Sequence, residues 1–83
     1  MKITVTKEDI QRGIRSSACS CPIARACNRQ TRPTRVFGVT MRVDTVLGGS
    51  QSFDLSRRAQ QFIARFDRKK KVKPFSFIVR GLE

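Results

Sequence analysis

Histidine, tryptophan and tyrosine are all absent from the 83-residue sequence. Without histidine the chain lacks the side chain that most often serves as general acid–base near neutral pH, and the commonest metal ligand. Without tryptophan or tyrosine, aromatic contacts fall to six phenylalanines. The core pattern claims each of them, so base stacking on single strands is not expected. Acidic residues are scarce too: only Glu8, Asp9, Asp44, Asp54, Asp67 and Glu83. Asp9 falls in a capping position, Asp54 and Asp67 at helix ends, and Glu83 is terminal. Asp44 and Asp54 are expected to face each other across a hairpin, where they could take a divalent ion, but two acids without a supporting shell make a poor nuclease centre. No apolar run approaches the roughly 20 residues of a membrane span. The opening Met1-Lys-Ile-Thr-Val-Thr is too short and polar for a signal peptide, so a cytoplasmic location is expected. A P-loop is excluded, because Gly48-Gly49 is not followed by Lys-Ser/Thr.

Cysteine is sparse and odd in number: Cys19, Cys21 and Cys27. An odd count with no export signal fits free thiols in a reducing compartment. The Cys-x-Cys-x5-Cys cluster supplies three zinc ligands where a structural site takes four, and its spacing is not the Cys-x2-Cys of redox dithiols. The expected role is that of a small buried residue, with Cys27 on the apolar face of a helix. No catalytic residue, metal site, cofactor or small-molecule substrate is expected, and the chain does not read as an enzyme.

What the sequence has in excess is positive charge. Eighteen Lys and Arg against six Asp and Glu give a net charge of +12, and the pI is about 11.4. Twelve of the eighteen are arginine, whose planar fork suits bidentate contact with phosphate or carboxylate. Solubility alone calls for a net charge of about 2–8. A larger excess repels itself and favours an acidic partner.

At 83 residues the chain reads as one domain, 1–83. Lys2 to Thr6 alternates, with Ile3 and Val5 on one face, and reads as a strand. Thr6 followed three residues later by Asp9 is an acidic variant of the capping box. It opens a helix over about residues 7–15, with Ile10 and Ile14 on one side, weakened by Gly13 and ended by Ser16-Ser17. A second short helix follows Cys19, with Pro22 at its first position, Ser20 or Cys21 as cap, and Ile23, Ala26 and Cys27 sharing a face. Residues 28–34 read as a polar connector stopped by Pro33. Arg35 to Leu47 alternates with period two and reads as one strand, Phe37, Val39, Met41 and Val43 pointing one way. Gly48-Gly49-Ser50 is its hairpin turn, and Phe53 and Leu55 lie on the return strand. Ser56 caps a last helix whose stripe is Ala59, Phe62, Ile63 and Phe66. Val72 to Leu82 closes the chain as a strand, with Phe75, Phe77 and Val79 inward. The fold class is therefore α+β: β-α-α-β-β-α-β order, with a three- to four-stranded, mostly antiparallel sheet and helices on one face.

Two basic clusters stand out. Arg57, Arg58, Arg65 and Arg68 share the outer face of the last helix, and Lys69, Lys70, Lys71 and Lys73 extend it. Complementation of the helix dipole accounts for one or two of these, not eight. Arg25, Arg29, Arg32 and Arg35 surround the polar connector. Together the clusters could track a phosphate backbone with strongly salt-dependent affinity. No helix-turn-helix pattern precedes the last helix.

The segment Ile10-x-x-Gly13 with Cys19-x-Cys21-Pro22-Ile23-Ala24-x-Ala26, then Phe62-Ile-x-x-Phe66-Asp67 and Val72-x-Pro74-Phe75-x-Phe77, resembles a group of small phage and prophage proteins. The resemblance covers most of the chain. Its matching residues are capping, core and turn positions, so they speak to fold, and nothing catalytic carries over. The heavy Arg and Lys load departs from the group. In size and character the chain is similar to anti-CRISPR proteins. That resemblance implies a protein that occupies a host nucleoprotein complex, such as a CRISPR effector, in the bacterial cytoplasm. The charge alone leaves a second expectation open: an accessory protein that binds DNA or RNA without regard to sequence.

Overall fold

Alternation in the first residues builds a strand, β1 (Lys2–Val5), with Ile3 and Val5 fully buried. This computed structural model describes residues 1–45 and 47–81. A capping box ends β1 and starts α1 (Lys7–Arg12): Asp9 N donates to Thr6 Oγ1 at 3.2 Å, and Thr6 N donates to Asp9 Oδ2 at 2.9 Å. The helix stops at Gly13, short of the expected residue 15. A Cβ on Gly13 would sit 2.6 Å from Pro22 Cγ and Cδ, so glycine there allows the following chain to lie against the first turn of the next helix. Ile14 is consequently 58% exposed and does not share a buried face with Ile10.

Helix α2 (Pro22–Gln30) begins with Pro22 at its first position and takes Cys21 as its cap, the thiol accepting from Ala24 N at 3.4 Å. It runs three residues into the expected connector, because Asn28, Arg29 and Gln30 each find a partner when helical. Asn28 Oδ1 accepts from Thr34 N, and the Gln30 amide both accepts from Thr4 N (3.0 Å) and donates to Thr4 O (2.6 Å). Gln30 thereby satisfies the outer edge of β1 as a neighbouring strand would.

The long strand expected over Arg35–Leu47 is two strands, β2 (Thr34–Phe37) and β3 (Thr40–Asp44), folded at Gly38-Val39 with Gly38 at φ +45°. A two-residue turn reverses direction with both flanking residues facing outward. Val36, Met41 and Val43 are therefore buried, while Phe37 and Val39 are 46% and 60% exposed. β4 (Ser50–Asp54) completes an antiparallel β2-β3-β4 sheet and buries Phe53. Ser56 caps α3 (Arg57–Asp67), which buries Ala59, Phe62 and Phe66. β5 (Phe75–Ile78) pairs antiparallel with β1, setting Ile3 opposite Phe77 and Val5 opposite Phe75. The order is β-α-α-β-β-β-α-β, an α+β fold. Its strands are divided between a three-stranded sheet and a two-stranded ribbon instead of forming one sheet. The core joins both through Ile3, Val5, Ile23, Met41, Cys27 and Val79, all fully buried. Among the described residues no helix is long and apolar enough to cross a membrane.

Candidate partner-binding groove

The two arginine clusters have different environments. In the first, α2 turns Arg29 toward α1, where its Nη2 donates to Asp9 Oδ2 at 2.5 Å and to Thr4 O at 3.3 Å. Arg25 Nε lies 4.0 Å from Asp9 Oδ1; it is buried and has no hydrogen-bond partner among the described residues. Asp9 is nearly fully buried, which by itself pushes its carboxyl up. The Thr6 amide and hydroxyl and the Arg29 guanidinium outweigh that burial and hold it below its ordinary value of 3.8. Arg25 and Arg29 thus answer an acid inside the protein, and Asp9 does more than cap α1. Arg32 is exposed between α2 and β2, and Arg35 is exposed on β2. The four residues lie on a helix, a connector and a strand rather than along one loop.

The second cluster is built on α3. Arg58, Gln61 and Arg65 flank the buried stripe and face the segment 71–75 across a cleft of about 460 Å³. Lys71 and Lys73 complete the rim, and Phe62, Val72, Pro74 and Phe75 form the floor. The Phe62 and Phe75 rings stack with centroids 4.8 Å apart, and the Arg58 guanidinium lies 5.8 Å from the Phe75 centroid. Among the described residues no carboxylate comes within ion-pair distance of these four cations. Arg57 at the start of α3 and Arg68 at its C-cap do not line the cleft, and neither do Lys69 and Lys70. Those lysines form the helix stop: Lys70 N donates to Arg65 O (2.9 Å) and Lys69 N to Phe66 O (3.0 Å), with Lys69 at φ +63°. The far end of α3 is electrostatically inverted. Its first turn holds Arg57 and Arg58 and no acid, so cations sit at the positive end of the helix dipole.

A further cationic spot lies on the outer face of the three-stranded sheet. Arg35 is directly opposite Arg42 there, and Phe37 is on the same face. Composition gave no reason to single out Arg42, and the core pattern claimed Phe37 for the interior; the alternation of Thr34 with Val36 was the signal that would have placed Phe37 outside. Helical spacing sets Gln61 and Phe62 beside Arg58 and Arg65 on α3, whereas Val72, Pro74 and Phe75 join the groove only through tertiary packing.

The expected meeting of Asp44 and Asp54 does not occur. Thr45 N donates to Gly49 O, closing the turn in a register that sets Asp44 opposite Ser50 and Asp54 opposite Thr40, at opposite ends of the strand pair. Asp67 does not merely end α3: its Oδ1 accepts from the backbone N of Ser16, which is held at φ +55°. All three thiols are free. Cys19 is exposed and Cys21 and Cys27 are buried, and burial pushes the Cys27 thiol up to about 12. Among the described residues no group of three or more Cys, Asp or Glu could hold a metal.

Comparison of the chain with protein-family models, with curated proteins and with solved structures gave no match.

Proposed function

We propose that this chain is a non-enzymatic inhibitor of the phage type, which docks on an acidic surface of a host nucleoprotein complex through the α3 groove. A CRISPR effector in the bacterial cytoplasm is the complex that the resemblance to anti-CRISPR proteins implies. The observation that carries the reading is the unanswered charge of the groove: Arg58, Arg65, Lys71 and Lys73 surround an apolar floor, with no carboxylate among the described residues to pair with them. Arg58 supports it further, because a cation in the first turn of a helix costs stability and this one lines the cleft. Capture from bacterial lysate by tagged protein, with and without nuclease, tests this. A discrete host complex that survives nuclease and is lost in the R58E/R65E double variant is the expected result. A complex that the double variant still captures would remove the groove from the reading.

A second reading, direct binding of DNA or RNA, is favoured by the Arg35–Arg42 pair beside the half-exposed Phe37. It expects recovery of nucleic acid alone, lost at higher salt, with comparable affinity for unrelated sequences.

A further inference from the structure

The groove of the proposed function has a wall with free backbone. Between the α3 stop and β5, Lys71, Val72 and Lys73 make no backbone hydrogen bond among the described residues, although they border the cleft. They are not themselves strand, since β5 begins at Phe75, but their N–H and C=O groups are unpaired among the described residues and lead directly into that strand. Below that segment is an apolar floor containing Phe62 and Phe75, and across from it stand Arg58 and Arg65.

Each of these features selects the occupant. A phosphate backbone calls for a row of cations and gains nothing from an apolar floor between them. A nucleobase would need an open ring face, but Phe62 is stacked with Phe66 and Phe75 and the Arg58 guanidinium lies over Phe75. An aliphatic side chain needs no ring face and can rest on Val72, Pro74 and Phe75, which are half-buried or exposed. An extended peptide uses all three features together: main-chain hydrogen bonds along residues 71–73, an apolar side chain on the floor, and carboxylates at the rim. Four cations with no acid paired to them among the described residues set the sign of those rim residues.

We infer that the groove takes an extended acidic peptide segment of a protein partner, one apolar side chain flanked by Asp or Glu, by strand addition to residues 71–73. The inference rests on the groove being the docking site of the proposed function, and it specifies that protein, not nucleic acid, is in direct contact there.

The test is fluorescence anisotropy on the intact protein with three labelled probes. These are a short peptide with one leucine centred among glutamates, its counterpart with serine for leucine, and a single-stranded oligonucleotide. The leucine peptide is expected to bind, and the serine peptide about tenfold more weakly, as befits loss of one buried aliphatic side chain. N-methylation of alternate peptide amides weakens binding in one phase and not the other, as strand pairing requires. R58E/R65E abolishes binding while R42E, outside the groove, leaves it unchanged. Equal affinity of the two peptides, or indifference to N-methylation in both phases, overturns the inference. So does tight binding of the oligonucleotide that R58E/R65E abolishes while neither peptide binds. In that last case a host complex captured from lysate would still stand, with phosphate as what the groove reads.

Discussion

Two arginine clusters that look alike as text do opposite work. Around Asp9, Arg29 is ion-paired with a nearly buried carboxylate and hydrogen-bonded to Thr4 O, tying α2 to α1 and β1. Along α3, Arg58 and Arg65 have no acid to answer among the described residues and stand over an apolar floor. Two charges of the first set, Arg25 and Arg29, are spent on Asp9 and hold the fold together. The second set is left for a partner, at some cost to the helix that bears it. With only six acids available to eighteen cations, a single buried aspartate makes Arg25 and Arg29 structural, while Arg15 is held by the Phe66 carbonyl and ring instead.

Charge reversal should separate the two regions most sharply. R58E/R65E is expected to abolish capture of the partner while shifting urea-unfolding stability by no more than about 0.5 kcal/mol, as exposed substitutions usually do. R29E sets a carboxylate against Asp9 and is expected to cost about 2 kcal/mol, limited by the solvent that reaches Arg29, without a specific loss of binding. If the two variants exchanged these effects, the comparison would be reversed.

The Asp9 region also carries its own acid dependence. Its carboxyl is held below the ordinary 3.8, so its contribution is complete above that value and lost as pH falls through the lower, folded value. Urea midpoints measured down through this window should fall more steeply for the wild type than for D9N, which starts less stable. The thiols give a smaller, local contrast. At neutral pH one thiol, Cys19, should react with Ellman's reagent in the native protein, and all three in denaturant, because Cys21 and Cys27 are buried and their thiols pushed up.

The smallest effects sharpen the view of α3 as a helix carrying functional charge. Lys69→Gly relieves a left-handed residue outside the groove and should raise stability by about 0.5–1 kcal/mol. Arg57→Glu places an acid at the first helical position and should add ~0.5 kcal/mol. A calorimetric gain in both, with partner capture unchanged, would assign binding to the cleft itself and not to the whole basic face.

The parts of this fold legible in the sequence are those settled by neighbours in the chain. Thr6 with Asp9, Pro22 after its cap, and Ala59, Phe62 and Phe66 at helical spacing all occur as read. What was not legible depends on distant partners or on a coincidence of pattern. Arg29 reaches Asp9 across twenty residues, and nothing local marks either as half of a pair. Phe37 and Val39 continue the alternation of Met41 and Val43 by position alone, so a two-residue turn at Gly38 was hidden in what read as one strand. For the site, the arginines of α3 could be named in advance, but the apolar floor between them could not.

The pairing of the first strand with the last has a kinetic consequence. Met1 N donates to Val79 O and Val79 N to Met1 O, both at 2.9 Å, so the ribbon closes a loop of 78 residues. Contacts of that separation form late, after the chain between them has become compact. The groove is different: its lining runs from Arg58 to Phe75, and Phe62 of α3 stacks on Phe75, so it is built from contacts close in sequence and does not wait for that loop to close. The meander β2-β3-β4 and the helices can form from local contacts well before. Closure of the β1–β5 ribbon during refolding should therefore trail the recovery of secondary structure, with the groove already in place before the two ends of the chain meet.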